Sequence, residues 1–292
     1  MLRSLVGSEM CIRDSPRTIL ALLVGMSLAL CGVIMQAVVK NPLADPYIMG
    51  ISSGATLGAT LGIILGIGKI FGDNFIGVMA FLGSLLIAIL VLFISNIGGK
   101  SNTVKLILAG TALSSFCGAF TSLIIYLGRE RNGMQTVSYW LMGSLGAAKW
   151  SRISVLFPIV IISLIFFMTQ FRNLNLMLLG DETSITLGTD LSSLRKIYIL
   201  IITFLIGFVV YNAGIVGFVG LVIPHIVRII VGTDHKKVVI SSSLVGAIFL
   251  IWCDILSRVL IKNAELPIGI ITAVLGSPLF VYLIIKREYG RK

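Results

Sequence analysis

Apolar residues run through this chain in blocks separated by short polar punctuation, and the blocks have the length of about 20 residues that a helix needs to cross roughly 30 Å of hydrocarbon. The pattern predicts spans over residues 18–39, 47–68, 75–95, 104–127, 153–171, 197–214, 238–261 and 266–285. A shorter apolar piece, 215–231, contains Pro224 and is predicted to enter the bilayer only part way. These are nine membrane-embedded segments. Unpaired backbone is costly in lipid, so each is expected to be helical and the fold class is all-α and polytopic. The long interruption is 172–196, where Asp181, Glu182 and Asp190 sit between Arg172 on one side and Arg195 with Lys196 on the other. Leu178, Leu179, Ile185, Leu187, Leu191 and Leu194 keep apolar positions in it, and Gly180 and Gly188 are natural stops for two short helices. A stretch this polar cannot lie in hydrocarbon, and it reads as a compact cytoplasmic structure offered to a partner.

Composition agrees with the pattern. A mean hydropathy of +1.05, with 57% hydrophobic and 12% charged residues, excludes a soluble domain. The net charge of +11 would suggest nucleic acid in a soluble protein, but here the basic residues fall between spans and report topology. With the C-terminus inside, the inner loops hold Lys40, Lys100, Lys105, Arg172, Arg195, Lys196, Lys236, Lys237, Lys286, Arg287, Arg291 and Lys292. The outer side then holds Arg17, Lys69, Arg129, Arg131, Lys149, Arg152, Arg258 and Lys262. Four cysteines stand singly, three of them inside spans, as small packing residues do.

Candidate chemistry is sparse. Gly50, Gly54, Gly58, Gly62 and Gly66 recur every fourth residue and predict close helix packing, with a smooth pathway wall as the sharper reading. Tyr139, Trp140, Gly143, Ser144, Gly146 and Trp150 predict an interfacial aromatic belt. Asp254 is a carboxylate well inside a span, with Arg258 four residues later on the same helical face. That pair is either an i, i+4 ion pair near the outer interface or a functional intramembrane charge. Gly99-Lys100-Ser101 copies the end of a P-loop, but Ile94 stands where the leading glycine belongs, so no nucleotide site is predicted. His225 has no second histidine or thiolate near it in sequence, which argues against a metal site. Pro224 with Gly214, Gly217 and Gly220 is expected to break the helix, and His225 to satisfy the backbone so freed. H-E-x-x-H does not occur and no acid pair stands at catalytic spacing, so no catalytic residue, enzymatic activity or cofactor is expected.

Several strings, in order, carry a resemblance. They are Pro16-Arg17, Asn41-Pro42-Leu43-Ala44-Asp45-Pro46, Ile51-Ser52-Ser53-Gly54-Ala55, Leu108-Ala109-Gly110, Trp140-Leu141-Met142-Gly143-Ser144, Leu179-Gly180-Asp181-Glu182 and Leu187-Gly188. The strongest are the run from Gly217-Phe218-Val219-Gly220 through Pro224-His225-Ile226-Val227-Arg228, and Glu265-Leu266-Pro267-Ile268-Gly269. The ordered set resembles the permease subunits of ATP-driven importers for iron-siderophores, haem and vitamin B12. The resemblance implies a type II ABC importer permease of ten helices, nine of them present, in the bacterial cytoplasmic membrane and surrounded by lipid. Its implied partners are a second permease subunit, identical or related, two cytoplasmic ABC ATPase subunits and an extracytoplasmic substrate-binding protein, with no nucleic acid. It places ATPase coupling on Leu179, Gly180, Asp181, Glu182, Leu187 and Gly188, and binding-protein docking on Arg17 and Arg258. A ferric siderophore is the expected cargo, with haem and cobalamin open. Residues 1–15 resemble a translated adapter sequence and are expected to be a non-native prefix, leaving 16–292 as a single transmembrane permease domain. The competing class is an ion-coupled secondary transporter, which would want several intramembrane ionisable groups where this chain offers Asp254.

Overall fold

The computed structural model describes residues 14–97, 103–128, 131–179, 184, 191–262 and 264–289. Among them are eleven α-helices: α1 (Ser15–Val39), α2 (Ile51–Leu65), α3 (Phe75–Asn96), α4 (Thr103–Leu127), α5 (Arg131–Leu141), α6 (Trp150–Thr169), α7 (Phe171–Leu179), α8 (Leu191–Ala213), α9 (Val219–Val231), α10 (His235–Val259) and α11 (Ile268–Tyr289). Six of these are long and apolar enough to cross a membrane, and α2, α9 and α11 are shorter apolar helices. Together they correspond in order to the nine predicted segments. The second is shorter than its apolar block because residues 47–50 form a turn and Gly66, at φ 67°, caps the helix in the left-handed region.

α1 is apolar on every side and buried along nearly its whole length, which is the pattern of a helix surrounded by others. α8, α9, α10, α6 and α7 pack around it, while α2, α3 and α4 form a second group joined through α3 and α8. The end of the bundle where α1 begins is here the upper end. It also holds the end of α10 and the start of α11.

Lipid offers little hydrophobic drive for helices to associate, so close approach through small residues has to supply much of the attraction. The glycine strip of α2 does this. A Cβ at Gly54 would lie 2.5 Å from the Gly83 carbonyl oxygen, and one at Gly58 would lie 2.1 Å from that of Met79. α2 therefore lies against the backbone of α3, as the packing reading of the strip predicts. α1 and α10 meet the same way, through Gly25 and Gly246.

Candidate functional site

Charge gathers at the upper end around one buried guanidinium. Arg17, in the first turn of α1, is 5% exposed. Its Nε donates to Asp254 Oδ1 at 2.7 Å and its Nη1 to Glu265 Oε2 at 2.8 Å. Its Nη2 donates to Ser257 Oγ at 3.3 Å. The other oxygen of Asp254, Oδ2, lies 3.0 Å from Arg258 Nη2, and Arg258 Nη1 lies 3.4 Å from Asp14 Oδ1. The predicted Asp254 and Arg258 pair is present, but Arg17 joins it from a distant point in the chain, which helical spacing could not disclose. Arg17 was expected to present its charge outward beside Arg258. It turns inward instead, because a guanidinium removed from water needs carboxylates to offset the lost hydration. Arg258 and Glu265, with side chains 28% and 46% exposed, are the members of this cluster that solvent reaches most readily after Asp14.

Backbone stitches the same end together. Ser144 N–H donates to the Ala213 carbonyl at 2.9 Å, Ile268 N–H to Gly143 at 3.2 Å, and Gly269 N–H to Met142 at 3.0 Å. Gly143 and Gly214 stand at φ 71° and 70°, a region open to glycine and strained for other residues. The aromatic and small residues read as a belt are thus also a knot. They tie the end of α8, where the irregular stretch before α9 begins, to the start of α11.

That irregular stretch covers residues 214–218 and ends at Phe218, whose φ is 68°. The break therefore precedes Gly220 and Pro224, both of which lie inside α9, rather than occurring at them. Gly217 has open space where a Cβ would be. Gly220 is a contact residue: a Cβ on Gly32 of α1 would come 1.9 Å from its carbonyl oxygen. Pro224 has no N–H to give the Gly220 carbonyl four residues back. Gln36 Nε2 reaches that oxygen at 3.4 Å and Leu221 O at 3.3 Å. The task expected of His225, which is half-buried in α9, is met at this carbonyl by Gln36. Gln36 Oε1 also accepts from Arg228 Nη1 in the last turn of α9, where a cation suits the helix C-terminus. Gln36, a polar residue in a buried apolar helix, was the available sequence signal for this role.

At the lower end, α7 leads into the polar island with Leu178 and Leu179 exposed at 45% and 61%. Of the six expected coupling residues, Leu179 is described, and Gly180, Asp181, Glu182, Leu187 and Gly188 lie outside the described residues. Asn175 fastens α7 to the start of α10. Its Nδ2 donates to Asp234 Oδ1 at 2.9 Å, and its Oδ1 accepts from the His235 backbone N–H at 3.0 Å. His235 Nδ1 stands 2.7 Å from the same oxygen, so that nitrogen carries the ring proton. Asp234 caps α10 by accepting from Lys236 N–H at 3.1 Å. The Asn175 amide, and then this N–H, hold the Asp234 carboxyl below its usual range. Asn175→Ala is expected to destabilise the protein by about 2 kcal/mol, because it strips the partner from buried His235. An unchanged melting temperature in detergent would remove the clamp.

The profile of the FecCD transport family matches residues 12–286. The hemin transport system permease protein HmuU of Yersinia pestis is 38% identical over 280 residues, which cover 94% of this chain and 83% of that protein. The cobalamin import system permease protein BtuC of Halobacterium salinarum is 37% identical over 274 residues, covering 94% of this chain and 72% of the relative. A solved structure described as an inward-facing metal-chelate type ABC transporter superposes with a TM-score of 0.87 at 32% identity, covering 96% of this chain and 89% of that one. PsaBC from Streptococcus pneumoniae, at TM-score 0.63 and 15% identity over 97% of this chain and 95% of that one, shares the fold alone.

Proposed function

Since this chain belongs to the FecCD transport family and is an ABC importer permease of the cytoplasmic membrane, we propose that it carries a metal chelate inward, driven by ATP that separate subunits hydrolyse. The family match over nearly the whole chain is the observation that supports this most. The cargo class is a metal held in an organic ligand, since the names of the relatives mention hemin, cobalamin and metal chelates. This class is wider than the ferric siderophore expected from the resemblance, and it includes it.

In this reading the upper end faces out and the lower end faces the ATPases. Exposed Leu178 and Leu179 would enter a groove of the ATPase, and Asp181 and Glu182 would set register there. A binding protein arriving from outside would meet Arg258. Arg17 acts from beneath by holding Asp254 and Glu265 in place. A second permease subunit completes the pathway, whose state changes by domain motion carried through packed helices.

The test is reconstitution in proteoliposomes with the ATPase and binding protein, offering hemin, cobalamin and a ferric siderophore in turn. One chelate is expected to accumulate with ATP, and ionophores are expected to leave that uptake intact. Uptake that collapses with the ion gradient would instead favour a secondary transporter. Replacing Asp181 and Glu182 together by alanine is expected to lower uptake about tenfold while ATP hydrolysis continues, equivalent to about 1.4 kcal/mol at the contact. Full uptake by that variant would remove the coupling assignment.

A further inference from the structure

α6 and α7 meet at a corner, and one oxygen atom binds that corner to a third helix. Gln170 ends α6 with ψ at 7°, and α7 begins at the next residue. Its Oε1 accepts from Tyr198 Oη of α8 at 2.9 Å and from Asn173 Nδ2 of α7 at 2.8 Å. Its Nε2 donates to Thr169 Oγ1 at 3.2 Å. Both ends of the Gln170 amide are therefore engaged.

Tyr198 is 0% exposed and is one of the largest fully buried side chains. The rings of Phe166 and Phe167 stand edge-on to it, with centroids at 6.1 and 5.4 Å. A phenylalanine would fill that apolar cage equally well, whereas the phenol oxygen has to be taken out of water. What the hydroxyl adds is its bond to Gln170.

The chain between Gln170 and Tyr198 contains all six of the expected coupling residues. The first of them, Leu179, is exposed beside Leu178 at the far end of α7, while Leu174 and Met177 bury the opposite face. At the usual rise, Leu179 lies about 13 Å from the corner, and Asn175, which fastens α7 to α10, lies about 7.5 Å from it. A helix this short turns as one body. α7 thus has the three points of a lever, with its tip at Leu178 and Leu179, its load at Asn175 and its pivot at Gln170. A lever moves its load only when the pivot is fixed. With a loose pivot it turns about the load, and the displacement goes to the corner instead.

We propose that Tyr198 is a positioning residue for transport: acting through Gln170, its hydroxyl pins the pivot of α7, so that motion applied at Leu178 and Leu179 reaches α10 through Asn175. This rests on the reading of the chain as a permease driven by ATP through its lower end. Tyr198 itself touches neither cargo nor ATPase in that scheme, being enclosed by α6 and α8.

The test measures uptake of hemin, cobalamin and a ferric siderophore, each against ATP hydrolysis, in proteoliposomes holding the full chain with its ATPase and binding protein. Melting temperature is read on the same preparations. Tyr198→Phe keeps the ring in its cage, and it is expected to lower uptake per ATP hydrolysed about fivefold, the equilibrium worth of one hydrogen bond, while hydrolysis continues. Gln170→Met removes the bond from its other end and is expected to do the same. The double variant should lose no more than Gln170→Met alone, because both changes act on one contact. A bond that only stabilised the fold would lower the melting temperature and leave uptake per ATP unchanged. Phe166→Leu, which thins the cage without touching the hydroxyl, is the control expected to behave in that way. An unchanged ratio in Tyr198→Phe, or in Gln170→Met should Tyr198→Phe not fold, would overturn the proposal alone, provided that the unsubstituted complex takes up a chelate with ATP. Absence of ATP-driven uptake by the unsubstituted complex would overturn the reading beneath it and the proposal together.

Discussion

Asp254→Ala is expected to lower stability by about 3–5 kcal/mol, the usual cost of removing one partner from a buried ion cluster. The change leaves Arg17 with Glu265 and Ser257 but without the carboxylate nearest its Nε, in a position 5% exposed. It also frees Arg258 from its bond to Oδ2. Arg258→Ala should cost less than about 1 kcal/mol, because that side chain is 28% exposed and water replaces much of what it loses. Thermal melting followed by fluorescence-detected size exclusion reads both variants on one scale. Equal melting temperatures for the two would mean that Arg17 contributes no more than an exposed pair does.

Gly32→Val is expected to cost about 3 kcal/mol or more and to abolish recovery of folded protein. A Cβ there would stand 1.9 Å from the Gly220 oxygen and 2.7 Å from the Gly220 Cα. Both atoms are backbone, so no rotamer change can make room. Displacing α9 would also break the contact of Gly220 with Pro46 and the hold of Gln36 on the Gly220 carbonyl. Gly118→Ala in α4 is the control, since nothing lies within 4 Å of its Cβ position. It should be neutral or stabilising by about 0.5–1 kcal/mol. A well-folded Gly32→Val protein with an unchanged melting temperature would show that α1 and α9 are not held in contact.

The helices were legible because the bilayer imposes a length and a polarity on each of them. All nine embedded segments follow from runs of apolar residues, and the packing of α2 follows from a glycine at every fourth position. The ion cluster was half legible. Asp254 and Arg258 share a helix face, so spacing alone pairs them, whereas Arg17 enters from another helix and its direction depends on how α1 and α10 pack. Of the residues that mark the break before α9, Gly214 and Gly217 lie in it, whereas Gly220 and Pro224 lie inside the helix that follows. A proline in the second turn of a helix needs only one carbonyl answered from elsewhere, and Gln36, from α1, answers it. Asn175 gave no signal, because an asparagine in a polar stretch looks like any solvated residue until the fold brings the start of α10 against it.

α10 is held at both of its ends, by Asn175 at the bottom and by Arg17 at the top. Its 25 residues span about 37 Å at the usual rise. An intact helix barely stretches, so it works as a connecting rod. A push delivered to α7 that displaces His235 must either arrive at Asp254 as travel along the rod or snap the joint at Asn175. Lengthening the rod by a full turn above His235, with both joints kept, would put the two ends of the protein out of step.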